Sequence, residues 1–282
     1  MLGYDVTTWV GEGIVDGLIC LPGLMHASVD TGVDLSAAVQ VAAGSDCLVM
    51  SGFAQTLARQ TAQQAPPPMV WAAAANAYDQ GADAFGLADA CTFPDGWPWT
   101  AVQYDTWRLL DSPDLLATAD KQYRVPSRGV RPPPAWLPGG DPPLPRALEV
   151  GEPLRLELRM ADDVAHWQQL GRVESVRLAV RITAIEACLN SVEISLNGRI
   201  LPESLRQLND LNYRLTPGGS VSPYGYVYEF DLPAEYHPQQ GSNTLTILLR
   251  QRDPNISLPF EVYDVDCHIR YRRHRNFRRE PQ

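Results

Sequence analysis

A segment rich in proline and glycine, VPSRGVRPPPAWLPGGDPPLP at Val125–Pro145, separates two stretches of chain whose apolar residues follow different patterns. It cannot form a regular helix or strand, because proline lacks a backbone N–H and has a fixed φ angle. Two interpretations stay open: a semi-rigid linker, or an ordered strap that packs on the preceding residues through Trp136 and Leu137. Either way, the segment marks a domain boundary.

The residues before this segment have the pattern of a parallel sheet. Apolar runs without strict alternation at Ile14–Leu21, Asp46–Phe53 and Ala82–Ala88 predict buried strands. Helical segments at Leu35–Ala43 and Met69–Gln80 lie between them, and this alternation is typical of parallel strands with crossover connections. Further helices are predicted at Asp5–Glu12, Thr56–Gln64, Val102–Leu110 and Asp114–Tyr123. Three strands do not close a barrel, which needs about eight.

After the segment, polar and apolar residues alternate. Val176, Leu178, Val180 and Ile182 share one face of a predicted strand. Asn197-Gly198 predicts a hairpin turn. Strands are predicted at Leu148–Met160, Ser175–Thr183, Ser191–Leu196, Tyr224–Leu232, Thr244–Gln251 and Val262–Arg272. These strands predict an antiparallel sandwich.

Bulk properties exclude several classes of partner. The chain has 282 residues, 45% of them hydrophobic, and a formal net charge of −10, which disfavours general binding to nucleic acid or an anionic membrane. No apolar run is long enough to span a bilayer. The five cysteines show no metal or redox spacing, so no metal or cofactor is expected, and their usage is typical of a cytoplasmic compartment. Localisation is left open, because a truncated N-terminus would lack any signal peptide.

Six side chains are candidates for a sugar site, because they follow predicted parallel strands, where sites are built. Carboxylates and imidazoles bond hydroxyl groups, and indole rings stack on the C–H faces of sugars. Simpler interpretations stay open: a carboxylate that only caps a helix, a solvated histidine, or tryptophans that only cover a sheet. The candidate substrate-binding residues are His26, Asp30, Asp89, Asp95, Trp97 and Trp99.

Two resemblances add to these predictions. The residues GYDVTTWVGEGIVDGLI (Gly3–Ile19) and NAYDQGADAFGLADA (Asn76–Ala90) resemble the C-terminal part of the (β/α)8 barrel of bacterial family-10-like putative glycosyl hydrolases. The residues VEISLNGRIL (Val192–Leu201), YVYEFDLP (Tyr226–Pro233) and GSNTLTILL (Gly241–Leu249) resemble galactose-binding-like jelly-roll domains appended to glycoside hydrolases. The first resemblance implies that the preceding half of the barrel, with its catalytic acid/base, is absent.

The expected fold is therefore α/β plus all-β: a partial (β/α) barrel followed by an antiparallel β-sandwich of the jelly-roll, galactose-binding-like type. The expected domains are residues 1–124 (barrel), 125–147 (linker or strap), 148–272 (sandwich) and 273–282 (basic tail). The expected function is that of the C-terminal portion of a glycoside hydrolase, with no catalytic residue assigned. The alternative is a non-catalytic carbohydrate-binding or scaffold protein. Self-association, or a missing barrel half, is expected to cover exposed strand edges.

Overall fold

The computed structural model describes residues 4–21, 30–54, 56–57, 63–88, 101–127, 143–211 and 225–272. The elements described before the proline-rich segment mix short helices and strands. In chain order they are α1 (Val6–Gly11), β1 (Gly17–Cys20), α2 (Ser36–Ala42), β2 (Leu48–Ala54), β3 (Thr56–Leu57), β4 (Gln63–Gln64), α3 (Pro67–Asp79), β5 (Ala84–Ala88), α4 (Ala101–Trp107), α5 (Pro113–Leu116) and β6 (Lys121–Arg124).

Three of these strands form a parallel sheet in the order β1-β2-β5. Gly17 pairs with Leu48, and Met50 pairs with Ala84. One face of this sheet packs on helices, as Val49 is buried in a cluster with Val10 of α1 and Ala42 of α2. The parallel pairing follows from the helices that connect each strand to the next.

The predicted partial (β/α) barrel, and with it the predicted fold class, is wrong. Within the described residues only three strands are parallel, β1 and β5 are the edges of one open sheet, and the other sheets are antiparallel. The apolar runs did indicate strands joined by helices, but β1, which was predicted to be buried, is half exposed. They carry no information about closure, which needs about eight strands tilted around a common axis.

Two of the predicted helices are also wrong. Residues 56–57 and 63–64 form a short antiparallel pair in place of the predicted Thr56–Gln64 helix. The predicted Asp114–Tyr123 helix ends at Leu116, and Lys121–Arg124 forms a strand that pairs with residues far along the chain. At Lys121–Arg124, pairing with a distant strand outweighs the local preference for helix.

The elements after the proline-rich segment are almost all strands. They are β7 (Arg146–Ala147), β8 (Pro153–Met160), α6 (Val164–Gln169), β9 (Val173–Thr183), β10 (Ser191–Leu196), β11 (Arg199–Ile200), β12 (Arg206–Leu211), β13 (Gly225–Asp231), β14 (Gly241–Gln251) and β15 (Glu261–Tyr271), with short 3₁₀ helices at Glu203–Leu205 and Ala234–Tyr236.

These strands form two antiparallel sheets that share one hydrophobic core. One sheet has the order β11-β10-β14-β8, and the other has the order β12-β13-β9-β15-β6, with β7 paired to β15. Leu178 of β9, Ile247 of β14 and Leu156 of β8 are all at most 3% exposed and belong to the same cluster. Each such side chain contributes about 1.5 to 3 kcal/mol on burial.

The first half of the chain is fastened to these antiparallel sheets at several points. The strand β6 pairs with β15, and Ala72 of α3 belongs to their shared core. The buried Asn76 side chain donates to the carbonyl oxygens of Thr31 at 2.7 Å and Arg159 at 3.0 Å. The predicted domain boundaries stay a prediction, and β6 lies at the end of the first predicted domain.

The parallel sheet keeps an apolar face exposed. Ile19 is 68% exposed, Leu48 58% and Leu21 53%. Ile19 and Leu48 lie on the side of the sheet away from the buried Val49, since neighbouring positions in a strand point to opposite faces. Parallel sheets are usually covered on both faces, so this face is a candidate contact surface.

Candidate functional site

The structure describes one of the six predicted site residues. Asp30 lies against Ser51 of β2 and Phe85 of β5, beside the helix α3. The other five lie outside the described residues and stay predictions: His26, Asp89, Asp95, Trp97 and Trp99. The structure therefore brings only Asp30 to the parallel sheet and leaves the rest of the predicted site untested.

Asp30 is held in a tight turn. Its Oδ1 accepts a hydrogen bond from the Gly32 N–H at 2.8 Å. Burial raises the pKa of the Asp30 carboxyl, and the Gly32 hydrogen bond lowers it by a smaller amount. The crevice beside Asp30 has no volume for a water-sized molecule. The Asp30 carboxyl therefore has a raised pKa but no open space for a substrate beside it.

A larger cavity lies where the first half of the chain meets the antiparallel sheets. Its volume is about 410 Å³, which is within the range of small-molecule sites. The walls come from α3, α5, β6, the start of α6 and the turn before β14. They comprise Ala75, Tyr78, Asp79, Pro113, Leu116, Ala117, Lys121, Ala161, Asp162, Asp163, His166, Trp167 and Gln240. We refer to this space as the junction cavity.

The floor of the junction cavity is a buried ion pair. Lys121 Nζ lies 3.4 Å from Asp162 Oδ1, and the two side chains are 0% and 3% exposed. Lys121 also donates to the carbonyl oxygens of Leu116 and Ala119. Burial lowers the pKa of Lys121, and the neighbouring Asp162 carboxylate raises it in opposition.

Two tyrosines also donate hydrogen bonds to Asp162. Tyr271 donates from its hydroxyl to Asp162 Oδ1 at 2.6 Å, and Tyr123 donates to Oδ2. Burial and the adjacent carboxylate raise the pKa of both phenols. Because Asp162 accepts three hydrogen bonds, its carboxylate is engaged in holding β6, β15 and the end of β8 together.

The rim of the junction cavity is polar and aromatic. Asp163 caps α6 by accepting the His166 N–H at 2.9 Å, which places His166 and Trp167 in the first turn at the cavity. Opposite them, Asp79 Oδ1 accepts from Gln240 Nε2 at 3.0 Å. A carboxylate, an amide, an imidazole and an indole therefore face one cavity.

The sequence reasoning missed the junction cavity. Its residues come from positions 75–79, 113–121, 161–167 and 240, which no local motif connects. The one local signal is the Asp162-Asp163 pair directly after a predicted strand, since a carboxylate there is a typical helix cap. Spatial proximity across about forty residues, as between Lys121 and Asp162, has no signature in a single sequence.

In the part of the chain that the structure describes, no three His, Cys, Asp or Glu side chains are grouped closely enough to hold an ion. Four cysteines within the described ranges, Cys20, Cys47, Cys188 and Cys267, are free thiols. None of the described helices is both long and apolar enough to cross a membrane.

Comparison with known proteins adds no relative to these observations. No protein-family model matches the chain, and no curated protein matches it. The junction cavity and the residues around Asp30 are therefore the features of this chain from which a function can be inferred.

Proposed function

We propose that this chain binds a carbohydrate in the junction cavity without cleaving it. The observation that carries the proposal is the rim of the cavity, where Asp79, His166, Trp167 and Gln240 surround a volume of about 410 Å³. Carboxylate and amide groups bond sugar hydroxyls, and an indole ring packs on the apolar face of a pyranose. A mixture of apolar walls and a few polar groups is typical of small-molecule sites.

The positions of the rim residues support binding in two ways. Trp167 is held by an edge-to-face contact with Tyr271, with ring centroids 6.5 Å apart, so its ring is fixed before a ligand arrives. Asp79 accepts hydrogen bonds from Gln240 and Arg159, which fixes the carboxylate at the rim. A rim fixed in advance lowers the entropy lost on binding.

The carboxylates of the junction cavity favour binding over hydrolysis. A glycosidase needs one carboxyl group that donates a proton and a second that acts as base or nucleophile. Asp162 accepts from Lys121, Tyr123 and Tyr271, and Asp79 accepts from Arg159 and Gln240. Asp163, the third carboxylate of the wall, accepts the His166 N–H. None of the three is arranged as a proton donor.

The proposal is tested by titrating the chain with a panel of mono- and oligosaccharides and measuring heat of binding. The wild type is expected to bind at least one sugar, and His166→Ala and Gln240→Ala are each expected to weaken it about tenfold, the loss of one good hydrogen bond. Gln168→Ala, an exposed change on α6 outside the cavity wall, is the matched control. No binding to any sugar, or equal weakening by the control, would refute the proposal.

A second proposed function is that of the C-terminal portion of a glycoside hydrolase, with Asp30 as the carboxyl group to test, although the crevice beside it would have to open to admit a substrate. The Asp30 carboxyl has a raised pKa, as a general acid requires. Under this proposal the chain releases reducing sugar from a glycoside, and Asp30→Asn abolishes the activity. Asp34→Asn is the control, because Asp34 is exposed and accepts the backbone N–H of Ser36 at 2.9 Å as a local cap. Turnover that survives Asp30→Asn would exclude this role.

A further inference from the structure

The side of the sheet β12-β13-β9-β15-β6 that faces away from the shared core carries ion pairs. Arg124 donates to both oxygens of Asp266, at 2.7 and 2.8 Å, and Arg181 lies 3.4 Å from Asp264. These pairs lie on the face away from the shared core, because Val180 and Cys267 between them are buried. Most acids on this face therefore already have an arginine partner.

One end of this face holds a second cavity, of about 260 Å³. In the pairing of β9 with β15, Arg177 is opposite His268 and Ser175 is opposite Arg270. Opposite residues in an antiparallel pair lie on the same face, so these four side chains converge. Glu229 of the neighbouring strand β13 completes the lining. We refer to this space as the arginine pocket.

The arginine pocket and its margin hold two guanidinium groups, Arg177 and Arg270, and two carboxylates, Glu229 and Asp231. Arg177 Nε lies 2.7 Å from Asp231, and its Nη1 lies 3.4 Å from Glu229, so both carboxylates are engaged by this one guanidinium. Between residues 4 and 272, as far as the structure describes them, no carboxylate forms an ion pair with Arg270. An exposed guanidinium with five donors is suited to bind a carboxylate or phosphate in two-point contact.

The remaining groups of the pocket supply hydrogen bonds. The Ser175 hydroxyl both donates and accepts. Burial lowers the pKa of His268, and Arg124, Arg177 and Arg270 lower it further, while Asp266 raises it. The imidazole therefore enters the pocket as a neutral group with one N–H donor and one acceptor nitrogen.

We infer that the arginine pocket binds a small anion of the carboxylate or phosphate class, with Arg270 as the charge partner and Ser175 and His268 as hydrogen-bonding groups. The volume of about 260 Å³ admits a compact anion, since a water molecule takes about 30 Å³ in the liquid. The overall charge of −10 opposes non-specific attraction of anions. Anion binding at this pocket therefore depends on the side chains of the pocket itself. The inference is independent of the junction cavity.

The test is calorimetric titration of the full chain with two probes, inorganic phosphate and acetate. Binding of either probe to the wild type is expected, and the probe that binds better identifies the anion class. Arg270→Gln is expected to weaken binding about tenfold or more, since it removes a charged hydrogen-bond donor. Arg250→Gln is the matched control, because Arg250 pairs with Glu193 on the other sheet and the change removes the same charge.

Each result decides the inference. The inference is supported if Arg270→Gln weakens anion binding and Arg250→Gln leaves it unchanged. If Arg270→Gln fails to fold, weaker anion binding by Ser175→Ala supports the inference. It is overturned if the wild type binds neither probe, or if the two arginine variants weaken binding equally, which would show a bulk charge effect.

Discussion

The hydroxyl of Tyr271 donates to the carboxylate of Asp162 at 2.6 Å, although 109 residues separate the two. This bond links the end of β15 to the turn that follows β8. With Lys121 and Tyr123 on the same carboxylate, it forms a buried polar network that joins β6 and β15 of one antiparallel sheet to the turn after β8 of the other. The network forms the floor of the junction cavity, so its integrity and the shape of the cavity are coupled.

Removing the charge of Asp162 is expected to destabilise the fold. The change Asp162→Asn leaves the Lys121 ammonium buried without a counter-ion, which costs about 3 to 5 kcal/mol. Urea unfolding at pH 7 measures the loss. The control is Asp163→Asn, which keeps a good capping residue on α6 and is expected to change the unfolding free energy by ~0.5 kcal/mol or less. Similar losses in the two variants would contradict a buried ion pair.

Stability is expected to fall above pH 9. Burial raises the pKa of Cys267 from 9.0 to about 12, and Asp162 and Asp266 add to the shift. The folded state then keeps the thiol proton while the unfolded state releases it, so the unfolding free energy falls as pH rises, by about 1.4 kcal/mol per unit for each such group. Denaturant unfolding at pH 9 and pH 10 measures the slope. Cys267→Ser is expected to flatten the slope; an unchanged slope in Cys267→Ser would refute the assignment.

The exposed face of the parallel sheet is expected to drive self-association. Ile19 and Leu48 are 68% and 58% exposed, and apolar groups of this size favour contact with a second surface. Sedimentation velocity is expected to show concentration-dependent association of the wild type that Ile19→Asp reduces. Leu258→Asp, at a residue 62% exposed elsewhere, is expected to have no effect. A stable wild-type monomer at all concentrations would contradict this.

The two candidate sugar sites make opposite predictions for the tryptophans. Trp97 and Trp99 belong to the site predicted from sequence, and Trp167 belongs to the junction cavity. If the ligand binds in the junction cavity, sugar affinity is expected to fall with Trp167→Phe, about threefold to tenfold, and to stay unchanged in the Trp97→Ala, Trp99→Ala double variant. Fluorescence titration with the sugar that binds best gives the comparison. The reverse pattern assigns binding to the site predicted from sequence.

Local patterns in the sequence located many elements but not their assembly. Gly81 has the left-handed conformation expected after a helix, with φ of +93°, and Asn197-Gly198 forms the turn between β10 and β11, with φ of 51° and 77°. The alternation of Val176 to Ile182 matches β9, and Ser191–Leu196 matches β10. These features depend on steric and burial preferences of neighbouring residues.

Features that depend on distant residues were not predictable. Lys121–Arg124 pairs with β15 in place of a predicted helix. The local sequence could not indicate this pairing, because the partner strand lies more than 140 residues away. Whether parallel strands close into a barrel depends on how many strands the sheet contains, and the apolar runs do not encode that number. The junction cavity likewise arises only when α3, β6 and α6 meet.

Hydrogen–deuterium exchange of the chain with and without a saturating bound sugar tests carbohydrate binding in the junction cavity most directly. Protection is expected at residues 161–169 and around Gln240, which line or flank the cavity, with little change around Asp30. Protection confined to residues near Asp30, or no protection at 161–169, would contradict binding at this cavity.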